Sequence, residues 1–128
     1  MKKIAITTAA ALVAALSVVA STALAKGGPG VVKTGKCSAS SHWKLKAKAD
    51  DGRIETEFQV DQNRNGKRWR VTLVSNGSTV FRGMRTTVAP SGSFSVRRLL
   101  AGPAAGTHIV ATAKALKSGE SCRASIAL

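Results

Sequence analysis

Acidic residues, aromatic residues and cysteines are all scarce in this chain, and each shortage argues against a class of function. Only 6 Asp and Glu stand against 20 Lys and Arg in 128 residues, and the aromatic side chains are 2 Trp, 3 Phe and no Tyr. Ligand pockets are lined mainly by apolar and aromatic side chains, and the few present here fall mostly on inward strand phases, so we expect no enzyme pocket. Two cysteines far apart lack the spacing and further ligands of a metal site or a Cys-x-x-Cys redox centre.

No group of residues has the arrangement of a catalytic site. The two histidines fall on outward strand phases, and neither a Gly-x-Ser-x-Gly elbow nor a Gly-rich phosphate loop occurs. Glu55 and Glu57 share a strand face, as the acid and base of a glycosidase do, but pairing with Lys46 and Lys48 explains them better. We therefore expect a non-enzymatic protein without cofactor or metal, and a hydrolase is only a third possibility.

The first 25 residues have the layout of a signal peptide. Lys2 and Lys3 precede an uncharged run that ends in Ala-Leu-Ala at residues 23–25, and small residues at these positions are typical of signal peptidase sites. We expect a helical signal peptide that is cleaved after Ala25. The alternative is a retained membrane anchor, because the run is long enough to span a bilayer.

Removal of this leader leaves one small, basic domain. The expected division is a signal peptide at 1–25, a leader with the first strand at 26–36, and a β-sandwich domain at 37–128. Because the leader holds two of the lysines, the mature chain has 18 basic and 6 acidic residues, a net charge of +12. Lys26 stands where a lipoprotein would need Cys, and no later segment is apolar enough to span a membrane. We expect a secreted monomer that is at most loosely associated with the cell wall.

The two cysteines lie near opposite ends of the expected mature chain. Cys37 and Cys122 are the only ones, and a pair like this forms a disulfide in an oxidising compartment. Closing so long a loop contributes about 4 to 5 kcal/mol in the chain-entropy model. The sequence therefore predicts a disulfide that stabilises the domain.

Two alternating segments around Asp51-Gly52 predict a β-hairpin with a defined register. With these two residues as the loop, apolar residues meet on one face: Ala49 with Ile54, Leu45 with Phe58 and Trp43 with Val60. On the other face opposite charges meet: Lys48 with Glu55, Lys46 with Glu57, His42 with Asp61 and Asp50 with Arg53. A slip of one residue would scramble both faces, so the pattern specifies the register.

Short alternating segments continue to the end of the chain. Further strands are expected at 31–36, 67–75, 79–88, 93–100, 107–115 and 122–127. The phase of 79–88 is unclear because Arg82 falls in line with Val80 and Met84, and a bulge at Gly83 would resolve it. Seven or eight short strands with turns every eight to twelve residues predict an all-β fold, a single antiparallel sandwich of about seven strands.

The last third of the chain resembles the closing strands of bacterial immunoglobulin-like modules. Residues 92–96 read Gly-Ser-Phe-Ser-Val and residues 105–113 read Ala-Gly-Thr-His-Ile-Val-Ala-Thr-Ala, where such modules have a Gly-x-Phe strand before a Gly-Thr-x-x-Val-x-Ala strand. The chain is also similar to small secreted proteins of actinobacteria, the high-GC Gram-positive bacteria, many of which have no assigned role. The resemblance implies an immunoglobulin-like sandwich, although the tyrosine corner of antibody domains is missing. It implies no function, because one fold serves many.

Residues 61–66 match the opening of a calcium-binding loop. Asp-Gln-Asn-Arg-Asn-Gly places oxygen ligands at alternate positions before a glycine. The closing carboxylate should then fall at Thr72, and Arg64, Lys67 and Arg68 put positive charge where the cation would bind. We expect a turn between strands here instead of a metal site.

Basic residues without acidic partners cluster around the same turn and the strand after it. Arg64, Lys67, Arg68 and Arg70 belong to this group, and Arg85 lies directly opposite Arg68 if Asn76-Gly77 is a two-residue hairpin loop. Like charges across a ribbon destabilise it, so a surface that keeps them is a candidate to bind phosphate or carboxylate polymers. Nucleic acid is a less suitable partner, because stacking aromatic residues are not interleaved with the arginines.

Two functions from different classes follow from these patterns. The first is a secreted binding or envelope-associated module that contacts an anionic cell-wall polymer or polysaccharide through the five basic residues. The second is an inhibitor or binding protein for a secreted partner protein, which would use loops such as 75–79 or 101–106.

Overall fold

The computed structural model describes residues 30–128, which form strands and turns and contain no helix. Eight strands follow one another along the chain: β1 (Val31–Lys36), β2 (His42–Asp50), β3 (Arg53–Asp61), β4 (Arg68–Ser75), β5 (Ser78–Thr86), β6 (Ser93–Ala101), β7 (His108–Ala115) and β8 (Ser121–Ala127). The predicted all-β class is confirmed. The predicted signal peptide at 1–25 lies outside the described residues. Among residues 30–128 there is no helix that could cross a membrane.

The strands form a β-sandwich of two antiparallel sheets. Sheet A has the order β1-β2-β3-β6, and sheet B has the order β5-β4-β7-β8. The chain crosses from sheet A to sheet B after β3, returns after β5 and crosses again after β6. As a result β3 pairs with β6 and β4 with β7, which are distant in sequence.

The β2–β3 hairpin has the predicted register at every pair. Asp51 (φ 48°) and Gly52 (φ 78°) both adopt the left-handed conformation that a type I′ hairpin loop requires. Lys48 lies 3.5 Å from the carboxylate of Glu55. Glu57, however, forms its ion pair with Arg97 of β6, because β6 brings a second cation to the face of β3.

The core lies between the sheets and is formed by the inward residues of each alternating strand. Its largest fully buried side chains include Trp69, Phe58 and Leu45. Trp69 of sheet B packs against Phe94 of sheet A with ring centroids 6.0 Å apart. Thr56 also lies inward, and its Oγ1 is buried without a hydrogen-bond partner among the described residues.

A bulge changes the register of the β4–β5 hairpin. Asn76-Gly77 forms the expected two-residue loop, with positive φ at both residues. Beyond it, Leu73 and Val74 are adjacent on β4, but their partners on β5 are Phe81 and Thr79. Val80 is therefore the extra residue. The bulge lies there and not at the predicted Gly83.

The predicted opposition of Arg68 and Arg85 is wrong. The extra residue shifts the register by one, so Arg68 faces Thr86 and Arg85 faces Trp69. A shift of one residue turns a side chain to the other face of the sheet. Arg85 thus lies on the inward phase at the edge of the sandwich, where its guanidinium lies 5.0 Å from the centroid of the Phe81 ring.

Two contacts hold the β1–β2 connection against the end of the β7–β8 connection and the start of β8. The predicted disulfide between Cys37 and Cys122 is present and joins residues 85 positions apart. Beside it, the buried carboxylate of Glu120 accepts hydrogen bonds from the Ser41 hydroxyl (2.7 Å), the Ser41 N–H (2.9 Å) and the Ala39 N–H (3.1 Å). Both contacts connect segments about 80 residues apart, so they fix the ends of the domain together.

Candidate functional site

The outer face of sheet B carries exposed basic residues from all four of its strands. Arg70 lies between Met84 of β5 and Lys114 of β7. Paired residues lie on the same face of a sheet, so the strand register shows which residues lie on the outer face of sheet B. Its basic residues, which we call the basic face, are Arg68, Arg70, Arg82, Lys114 and Arg123.

The dimensions of the basic face follow from the sheet geometry. Thr72 and Thr112 lie between Arg82 and Arg123 in one row across the four strands. At about 4.8 Å between strands, the backbones of these two arginines are about 14 Å apart. Along β4, Arg70 and Arg68 extend the charge from this row by roughly 7 and 14 Å. The hydroxyl groups in the centre add neutral hydrogen-bond donors to the cations around them.

No acidic residue lies on the basic face. All 6 acidic residues of the chain fall within the described residues, and five of them belong to the β2–β3 hairpin. The sixth, Glu120, is buried and bonded to Ser41. Both ion pairs found among residues 30–128 lie on sheet A. Because nothing on the basic face neutralises its charge, the fields of the five cations add.

A cleft of about 390 Å³ lies at the end of sheet B, next to the basic face. The β3–β4 and β7–β8 connections form it, and they are held together by the hydrogen bond from Leu116 N–H to the Arg68 carbonyl (3.0 Å). Four basic residues line it: Arg64, Lys67, Arg68 and Lys117. The cleft therefore brings four cations together around one concave surface.

The turn at 61–67 positions two of these cations. Asp61 Oδ1 accepts a hydrogen bond from Asn63 N–H (3.0 Å), so this carboxylate oxygen is used within the turn. The buried Thr87 hydroxyl accepts a bond from Lys67 N–H (2.9 Å) and donates to the Arg64 carbonyl. The segment is an inter-sheet turn, as expected, and the bonds of Thr87 fix the backbone that presents Arg64 and Lys67.

Four of the five predicted binding residues lie together. Arg64, Lys67 and Arg68 line the cleft, while Arg68 and Arg70 lie on the basic face. Arg85 does not join them, because it stacks on Phe81 at the edge between β5 and β6. Four further cations were missed: Arg82, Lys114, Lys117 and Arg123. Outward strand phase marks Lys114 and Arg123, whereas the phase of Arg82 is unclear from the sequence. The strand order that brings these residues together cannot be read from local patterns.

A second, more open groove of about 520 Å³ lies on sheet A. Its lining carries both signs of charge, with Lys36 and Lys44 near Asp61. The imidazole of His42 and the amide of Gln59 also line it. The groove therefore lacks the uniform charge of the cleft and the basic face.

The described residues hold no group of three or more His, Cys, Asp or Glu side chains that could bind a metal ion. Comparisons with protein-family models, with curated proteins and with solved structures found no match.

Proposed function

We propose that this protein is a secreted, non-enzymatic module that binds an anionic cell-wall polymer through the basic face. The observation that carries the proposal is the set of five exposed basic residues, drawn from four neighbouring strands, without an acidic residue among them. Such a surface concentrates polyanions around it and orients their approach.

The geometry suits a flexible polymer with repeated phosphate or carboxylate groups. Each exposed ion pair contributes only about 0.2 to 1 kcal/mol, so one anion alone would bind weakly. Five contacts on one chain segment supply at most about 5 kcal/mol, which corresponds to a dissociation constant no tighter than about 0.2 mM. Affinity of this size gives loose, reversible retention at a wall that presents many segments.

We also propose that the protein is exported and that its sandwich has an immunoglobulin-like topology. The Cys37–Cys122 disulfide is typical of proteins in oxidising compartments. If β2, β3 and β6 correspond to strands A, B and E, and β4, β5, β7 and β8 to C, C′, F and G, the two sheet orders agree with the immunoglobulin-like plan. In this reading β1 is an added edge strand, and the disulfide differs from that of antibody domains because it includes a residue at the end of β1.

Retention on an immobilised polyphosphate column, measured at increasing salt, tests the proposal. The Arg70→Glu/Arg123→Glu variant removes two contacts of the basic face and leaves the cleft intact. We expect its affinity to fall about fivefold or more, since two lost contacts and the repulsion from two added carboxylates amount to about 1 to 2 kcal/mol. The wild type should lose affinity steeply as salt rises.

The matched control is Lys44→Glu/Lys46→Glu, which makes the same charge change on the outer face of sheet A. We expect less than a twofold loss for this variant. Equal losses in both variants would show that net charge alone drives retention, and absent or salt-independent retention would overturn the proposal. Capture of a protein partner at high salt, sensitive to changes in loops 75–79 or 101–106, would favour the alternative function instead.

A further inference from the structure

The cleft at the end of sheet B differs from the basic face because it is concave and its polar side chains are cations and hydrogen-bond donors. Arg64, Lys67, Arg68 and Lys117 supply the charge, and no carboxylate is among the lining residues. Ser118 Oγ accepts a bond from Glu120 N–H (3.2 Å), so its hydroxyl proton is available to donate. A ligand that satisfies this lining must offer several acceptor oxygens.

Gln62 adds a donor whose direction is fixed. The indole N–H of Trp69 can only donate, and it lies 2.9 Å from Gln62 Oε1. The amide oxygen of Gln62 is therefore used by Trp69, and its NH₂ group is the part left for a ligand in the cleft. Because Trp69 is fully buried in the core, it anchors this orientation firmly.

The volume of the cleft and the apolar side chain in one of its walls indicate a ligand larger than a bare anion. The volume of about 390 Å³ is well above what a five-atom inorganic phosphate fills. Leu116 also lines the cleft, and its side chain is 45% exposed. An apolar side chain beside four cations suits a ligand that joins an anionic group to a carbon skeleton.

We propose that the cleft binds one phosphate ester of a small polyol or sugar, with the phosphate among the four cations and the carbon skeleton against Leu116. Arginine matches phosphate oxygens in a two-pronged geometry, and lysines act as point charges beside them. The inference rests on the proposed function, since such a unit would be a repeat or an end of the anionic polymer. The cleft then selects the unit chemically, while the basic face supplies unselective attraction.

Titration of the purified, disulfide-bonded protein with sn-glycerol 3-phosphate, followed through backbone amide NMR signals, tests this site. We expect shifts concentrated in residues 62–68 and 115–118, and at least threefold tighter binding than for inorganic phosphate. Lys117→Gln should weaken binding at least fivefold, whereas the matched Arg123→Gln variant on the basic face should change it less than twofold. Leu116→Ser should remove the preference for glycerol phosphate over inorganic phosphate. Unchanged amide spectra elsewhere verify that the variants fold.

Three outcomes would overturn the inference: no shifts at these residues, equal affinity for glycerol phosphate and inorganic phosphate, or equal affinity for glucuronate, which carries a carboxylate in place of the phosphate. The result is separable from the proposed function. If polyphosphate retention still depends on Arg70 and Arg123 while the cleft fails to bind the ester, only the cleft assignment is lost. If the ester binds and the polymer is not retained, the polymer proposal is lost and the cleft is a small-molecule site.

Discussion

Replacing Glu120 by Ala should lower the free energy of unfolding by about 3 kcal/mol, because two buried groups would lose a charged acceptor. The carboxylate accepts bonds from the hydroxyl and the N–H of Ser41, which is fully buried, and from the N–H of Ala39, which is exposed. Water can replace the bond to Ala39. It cannot reach Ser41 without opening the loop, and a bond to a charged group contributes about 1.5 to 3 kcal/mol.

Glu120→Gln provides the matched comparison, because the amide has the shape of the carboxylate. Its oxygen can keep the two N–H donors, and its NH₂ group can donate to the Ser41 hydroxyl, which also accepts. The hydrogen bonds lose only the extra strength that the negative charge gives them, so we expect the free energy of unfolding to fall by about 1 kcal/mol. The order of stability should therefore be wild type, then Gln, then Ala.

Urea denaturation of the oxidised protein, monitored by Trp fluorescence, measures these differences. A double-mutant cycle with Ser41→Ala should give a coupling energy of at least about 1 kcal/mol, as expected for residues in direct contact. A cost below about 1 kcal/mol for the Ala variant, or equal costs for Gln and Ala, would show that the carboxylate does not stabilise the buried Ser41 donors.

The same denaturation assay checks two further predictions. Thr56→Val should raise the free energy of unfolding by about 1 kcal/mol, because it removes a buried hydroxyl that has no partner; a loss of stability would show that the hydroxyl is bonded. Replacing Cys37 and Cys122 together by Ser should lower stability by about 4 to 5 kcal/mol, given the 85-residue separation and the chain-entropy model. A change below about 2 kcal/mol would mean that the reduced, unfolded chain is already compact.

The β2–β3 hairpin could be predicted pair by pair because three independent signals agree on one register. Apolar alternation places Leu45 against Phe58, the charge pattern places Lys48 against Glu55, and Asp51-Gly52 is a favoured hairpin loop. Such agreement among local signals is what makes a register readable from sequence. The ion-pair partner of Glu57 escaped, because Arg97 lies 40 residues further along the chain. Asp50 and Asp61 face Arg53 and His42 as predicted but form no ion pair with them.

In the β4–β5 hairpin, a single extra residue makes the register predicted from local patterns wrong. No sequence signal marks Val80 as the extra residue, because it is a strand-forming residue within a strand-forming segment. The alternation alone located the irregularity near Gly83, three residues away. Counting from the Asn76-Gly77 loop without any bulge placed Arg85, one of the five predicted binding residues, on the wrong face.

The candidate site was predictable only where its residues are neighbours in sequence. Arg64, Lys67 and Arg68 follow one another through a turn, so their clustering was evident. Lys114 and Arg123 reach the same surface through the pairing of β4 with β7 and of β7 with β8. That pairing depends on which sheet each strand enters, which is decided by packing of the whole core. The Glu120 contact was missed for the same reason.

The Cys37–Cys122 bond makes almost the whole domain a covalent ring, with only the first strand and the last few residues outside it. A protease that cuts any one loop inside the ring therefore yields two pieces that stay tethered, and the nicked molecule can keep its fold. Tension applied to the two ends of the domain must first separate β1 from β2 and β8 from β7, after which the sulfur atoms carry it past the strands inside the ring. A protein held at a surface under flow would gain mechanical endurance from this arrangement.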